Sequence, residues 1–135
     1  MALSGFAERL ASLIGERTSV SQVADDPVLT AELLLLVRMG FADHEVNAPE
    51  AAAFRAICTR ALGLDGDELG DIIRFLDSFG YETSSAQAAE MLRDLPEKRR
   101  REIMDHLATM ARADGTVTDS ERALFHATAR RLGLE

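Results

Sequence analysis

Apolar residues along this chain recur at helical spacing, and no segment sustains the alternation of a strand. Phe6, Leu10, Leu13 and Ile14 form a first stripe at i, i+4, i+7 and i+8, and Ser19 and Ser21 read as a break after it. Asp26-Pro27 is a helix start, with Asp as N-cap and Pro at the first helical position. The helix it opens, Pro27 to about Ala42, carries Leu29, Leu33, Leu34, Leu35, Leu36 and Val37. Being apolar nearly all round, it is expected at the centre of the core. A helix from about Ala48 to Leu62 follows, with Phe54, Ile57, Cys58 and Ala61 on one stripe and Gly63 as its terminating glycine. Asp65-Gly66-Asp67 opens another, with Leu69, Ile72, Ile73, Leu76 and Phe79 inward and Gly80 at its end. Ser84 or Ser85 caps a short helix, Ala86 to Leu92. Pro96 starts a long one to Ala113, with Ile103, Leu107, Met110 and Ala111 inward. The last runs from Asp119 to Leu132, with Leu124, Phe125 and Thr128 inward. The expectation is an all-α bundle of six or seven helices, a single domain over residues 1–135.

The chain also matches itself. At an offset of 71, Leu36, Met39, Ala42, Asp43, Val46, Glu50, Ala52, Phe54 and Ala56 meet Leu107, Met110, Ala113, Asp114, Val117, Glu121, Ala123, Phe125 and Ala127. That is nine of 21 positions, where composition alone gives roughly one or two. A one-residue slip then aligns Leu62-Gly63-Leu64 with Leu132-Gly133-Leu134. Each repeat reads as helix, short acidic loop, helix, and two such hairpins are expected to pack about an approximate twofold.

Two readings of the loops stand. In the first, the acids serve the backbone. Thr118 with Glu121, and Asn47 with Glu50, have the spacing of a capping box. Gly115 suits the left-handed position after a helix, and His44 tolerates it. Asp43 and Asp114 sit at helix C-termini, where the macrodipole disfavours an anion by roughly 0.3–1 kcal/mol, so something must offset that cost. Loop amides, or a guanidinium such as Arg38 or Arg112, would do so. In the second reading the offset is a cation. An oxygen-only donor set of Asp43, Glu45, Glu50, Asp114 and Glu121 suits Ca²⁺ or Mg²⁺ better than a transition metal, with Asp119 a weaker contributor. Neither loop is an EF-hand: Asp to the distal Glu spans eight residues, with no D-x-D-x-D-G run.

The pattern Ala42-Asp43-x-Glu45-Val46-x-x-x-Glu50, then Ala113-Asp114-Gly115-x-Val117-x-x-x-Glu121, each followed by Leu-Gly-Leu, resembles the tellurite-resistance TerB-like family. The resemblance covers about Leu29 to Leu134. It implies a compact all-helical fold, acidic loop residues associated with a metal ion, and a module of stress-response systems, some linked to membranes or to calcium-binding partners. Carried over by position, Asp43, Glu45 and Glu50 fall on the first motif, Asp114 and Glu121 on the second. His44 stands where Gly is common and Thr116 where an acid is frequent, so the second half-site is the poorer.

Composition narrows the function. Twenty-three acidic against 15 basic residues give −8, a field that disfavours nucleic acid. One cysteine excludes an internal disulfide, and Cys58 reads as a core thiol. The run Lys98-Arg99-Arg100-Arg101 reads as a solvated face paired with Glu97, Glu102 and Asp105, the alternative being a dock for an acidic partner or phosphate. His106 and His126 read as solvated or packed, since no His-Glu-x-x-His is present. No basic n-region precedes the first apolar residues, and the longest apolar run is five residues, Leu33–Val37. A cytoplasmic location without a transmembrane segment is therefore expected, with peripheral membrane association left open. The leading expectation is a non-enzymatic, cation-binding module acting with a protein partner in a stress response. The second is a protein-binding adaptor whose acidic loops are structural. The weakest is a metal-dependent hydrolase, for which no general base stands beside the acids.

Overall fold

The computed structural model describes residues 19–40, 48–80 and 83–135, except the side chain of Phe79. Within them the chain forms α1 (Ser19–Ala24), α2 (Pro27–Gly40), α3 (Ala48–Ala56), α4 (Leu69–Gly80), α5 (Ser85–Leu92), α6 (Glu97–Arg112) and α7 (Asp119–Arg131). A π-helical turn, Ile57–Ala61, prolongs α3, and a 3-10 turn, Gly66–Glu68, leads into α4. No strand occurs among the described residues, so the all-α class holds. The stripe from Phe6 to Ile14 lies outside them.

Local chemistry sets most of these boundaries. Asp26 Oδ1 accepts the Val28 and Leu29 amides at 3.1 Å each, capping α2. Ser84 and Gln87 form a reciprocal capping box at α5. Gly63 ends the π turn at φ +68°, and the Leu64 amide returns to the Cys58 carbonyl at 2.8 Å. This bond, reaching back six residues, satisfies a carbonyl that the helix end would otherwise orphan.

Three expectations need correction. Ser19 and Ser21 do not break the chain; they lie in α1. The Ser19 amide donates to both Glu68 carboxylate oxygens at 3.0 Å, and its hydroxyl accepts the Asp65 amide at 2.8 Å. These partners, more than 40 residues away in sequence, hold α1 against the start of α4. The helix expected to run to Leu62 is α-helical only to Ala56. From there the Leu62 amide reaches back five residues to the Ile57 carbonyl at 3.1 Å. Asp65-Gly66-Asp67 starts a 3-10 turn rather than α4 directly.

α2 is the central helix, as its composition demands. Ala31, Leu33, Leu35, Leu36 and Met39 are wholly inaccessible. It packs on every other α-helix, α5 and α6 most of all. α2 meets α3 as α6 meets α7, and α3 meets α6 as α7 meets α2. A twofold between the repeats would generate contacts of this kind. The first loop, which the expected superposition also requires, falls in residues 41–47, outside the described residues.

Candidate functional site

The second acidic loop is built by the ends of α6 and α7. α6 closes with the Gly115 amide on the Arg112 carbonyl at 3.0 Å, Gly115 taking φ +84°. That left-handed residue turns the chain so that Asp114 Oδ1 accepts the Thr116 amide at 3.0 Å. Thr118 then caps α7. Its hydroxyl accepts the Glu121 amide at 3.1 Å, while Glu121 Oε1 accepts the Thr118 amide at 2.8 Å. Glu121 is only 3% exposed, in the first turn of α7, where the positive helix end favours a carboxylate. It borders a half-open groove of about 300 Å³ shared with Arg112, Val117 and Phe125. Asp114 is exposed at the loop surface.

Of the first motif's candidate donors, only Glu50 is described. It lies in the first turn of α3 and is 7% exposed, burial that matches Glu121 at the corresponding position of the repeat. Asp43 and Glu45, like Asn47 and His44, lie outside the described residues. Arg38, one guanidinium considered as a partner for the loop, is engaged elsewhere. It donates to the Ser85 hydroxyl at 3.0 Å and to the Gly80 and Thr83 carbonyls at 3.0 and 2.6 Å. It thereby ties α2 to the α4–α5 connection, and its burial lowers its pKa. Among the described residues, no three His, Cys, Asp or Glu side chains converge as a metal centre.

A second polar cluster lies inside the fold, and the sequence reading missed it. Glu32, on α2, is wholly inaccessible. Arg99 Nη2 donates to its Oε1 at 2.5 Å, and His106 Nδ1 lies 2.9 Å from its Oε2. The basic run is therefore not one solvated face. Arg99 turns inward to Glu32, with Glu102 at 3.7 Å on its other side. Arg100 donates to the Leu95 and Leu132 carbonyls at 2.9 and 2.5 Å, closing the end of α7. Arg101 pairs with Glu97 on the surface at 3.4 Å, as expected. His106 is packed, and on a buried carboxylate rather than apolar neighbours. The available signal was Glu32 itself: one carboxylate in an otherwise apolar helix needs a cationic partner somewhere in the chain.

Cys58 is buried in the π turn, as its stripe implied. Burial first, and the nearby Glu32 charge second, push its thiol up to about 12. A thiol so protonated at neutral pH is a poor nucleophile. No helix among the described residues is long and apolar enough to cross a membrane.

Comparison with known proteins places this architecture. The solved structure of a protein of unknown function from Porphyromonas gingivalis W83 superposes with a TM-score of 0.60, covering 81% of this chain and 84% of that one at 24% identity. The likeness is one of fold. No curated protein matches the chain. The sequence profile of the family described as tellurite resistance protein TerB matches residues 29–135, the span that contains both acidic loops and both Leu-Gly-Leu ends. The chain belongs to the TerB family.

Proposed function

We propose that this TerB-family domain is a non-enzymatic cytoplasmic module that holds one divalent cation, Ca²⁺ or Mg²⁺, between its two acidic loops and acts with a protein partner in a stress response of the tellurite or oxidative type. The observation that carries the reading is the doubled Asp–Glu spacing, together with the matched burial of Glu50 and Glu121 at the starts of α3 and α7. Oxygen donors of this kind suit a hard cation. The second loop does not suffice alone. Asp114 and Glu121 each commit an oxygen to a backbone amide. A hard cation takes six or more oxygens, so Asp43, Glu45 and Glu50 would have to complete the shell, with water.

One observation favours a second reading, a protein-binding adaptor without an ion. The capping box and the Asp114–Thr116 turn already give both second-loop acids a backbone role. Thermal melting with added Ca²⁺ or Mg²⁺ separates the two. Saturation at about 100 times Kd adds roughly 2.7 kcal/mol, which raises the melting temperature of a domain this size by several degrees. Asp43→Asn and Asp114→Asn should each abolish most of that rise, non-additively for one shared ion, with little change in the metal-free protein. If the acids only serve the backbone, metal has no effect, and each Asn variant destabilises by about 1 kcal/mol with or without it.

A further inference from the structure

Two helical hairpins that match at the offset of 71, α2–α3 and α6–α7, pack on each other within one chain. Matching hairpins can associate in three ways: the first with the second, or either with its own copy from another chain. Apolar packing distinguishes these poorly. Leu36 and Met39 of α2 match Leu107 and Met110 of α6, and all are wholly inaccessible. The Glu32 cluster does distinguish them. Glu32 is wholly buried on α2, and α6 engages both its carboxylate oxygens: Arg99 Nη2 lies 2.5 Å from Oε1, and His106 Nδ1 lies 2.9 Å from Oε2. The offset carries Glu32 to Ile103, Arg99 to Val28 and His106 to Leu35. If a second α2 took the place of α6, each buried Glu32 would face Val28 and Leu35 of the other chain, with no cation. If a second α6 took the place of α2, each Arg99 and His106 would face Ile103, with no carboxylate. Only α2 with α6 brings the two sets together. A buried ion pair adds little over an apolar contact, yet removing one partner from it is strongly destabilising. The cluster therefore contributes little to the correct pairing and heavily penalises the other two. Single buried polar positions set partner choice in coiled coils in the same way. The guanidinium of Arg99 stays charged throughout the working pH range, so the discrimination does not depend on the state of the His106 ring.

We propose that the Glu32–Arg99–His106 cluster is a pairing determinant: it holds the α2–α3 and α6–α7 hairpins to each other and excludes association of either with its own copy in a second chain. It acts in the core and does not depend on the acidic loops holding an ion.

Ala52 on α3 and Ala123 on α7 are exposed counterparts at the offset of 71, so labels there report the pairing. The full chain with Ala52→Cys and Ala123→Cys, spin-labelled in the folded state, where Cys58 is buried, gives the reference distance by dipolar electron spin resonance. A chain labelled at Ala123→Cys alone should show that distance only when two α6–α7 hairpins pair. It is refolded from urea at about 1 mM, where a second chain competes with linkage inside one chain. Adding Glu32→Ile, Arg99→Val and His106→Leu together should raise the share of molecules at that distance at least about tenfold. Glu32→Ile alone serves if the triple variant does not fold, because without the carboxylate two chains leave the same number of cations unmatched in every pairing. The proposal is overturned if the chain with the cluster intact shows the reference distance as strongly as the variants do. It is equally overturned if a variant that refolds to its helical state shows none of it.

Discussion

Removing Arg99 should harm this protein more than removing the carboxylate it pairs with. The reason lies in where the charges sit. Glu32 is wholly buried, whereas the Arg99 and His106 side chains keep 31% and 20% of their surface in solvent. Arg99→Met strands a buried carboxylate with His106 alone, and breaking a buried pair in this way costs about 3–5 kcal/mol. Glu32→Gln keeps the shape and an acceptor oxygen, while Arg99 remains beside Glu102 and water. That loss is a charge-assisted bond, about 1–3 kcal/mol. Urea unfolding measures both. With a slope of about 2 kcal/mol per molar, the midpoint should fall by about 1.5–2.5 M for Arg99→Met and about 0.5–1.5 M for Glu32→Gln. Replacing the whole cluster, with Glu32→Ile, Arg99→Val and His106→Leu together, should leave stability within about 1 kcal/mol of the starting protein or raise it by up to about 4, because no charge is left buried. A greater cost for Glu32→Gln than for Arg99→Met, or a triple variant as unstable as Arg99→Met, would refute this ordering.

Two further outcomes follow from the geometry. Thr118→Ala removes the hydroxyl that accepts the Glu121 amide and should cost about 1 kcal/mol in urea unfolding, whereas an unchanged midpoint would show that the capping box does not support α7. Cys58, held protonated to about 12 in the fold against an ordinary 9.0, should erode stability between those two pH values, where the unfolded chain has lost the thiol proton and the folded one retains it. The slope is up to about 1.4 kcal/mol per pH unit, and it should flatten in Cys58→Ala; equal slopes in the two proteins would refute the assignment.

Features set by nearby residues were legible in the sequence. Asp26-Pro27, the serine cap at Ser84 or Ser85, Thr118 with Glu121, and Gly63 act within a few positions of themselves, and the structure uses them, choosing Ser84 of the two serines. The stripes of α4 and α6 were legible too: Ile72, Leu76, Ile103, Leu107 and Met110 are all inaccessible. Features set at long range were not. Ser19 reads as a breaker because its neighbours are polar, and what orders it is Glu68, 49 residues on. The π turn leaves no trace in the apolar stripe, because Ile57 and Cys58 are buried in either geometry. Arg99 reads as part of a solvated face and His106 as solvated or packed, because their partner is 67 and 74 residues earlier. At the acidic loops, both roles of the second-loop acids were legible as alternatives, and the backbone role is the one the hydrogen bonds display.

The offset of 71 bears on what the Glu32 cluster is for. Continued back along α2 and α6, it pairs Glu32 with Ile103, Arg99 with Val28, and His106 with Leu35. Ile103 and Leu35 are wholly inaccessible, and Val28 is half-buried against the core. The counterpart of the ionic cluster in the other half is therefore an aliphatic contact, and helix packing of the repeat proceeds there without any charge. A buried ion pair is at best a weak source of stability against such an apolar alternative. Packing alone thus gives no reason for a carboxylate at position 32. What Glu32 adds is a polar tie between α2 and α6: it orients the His106 ring and pairs with Arg99. The offset of 71 thus matches the two halves at the acidic loops but not at position 32, where one half has a buried carboxylate and the other an isoleucine.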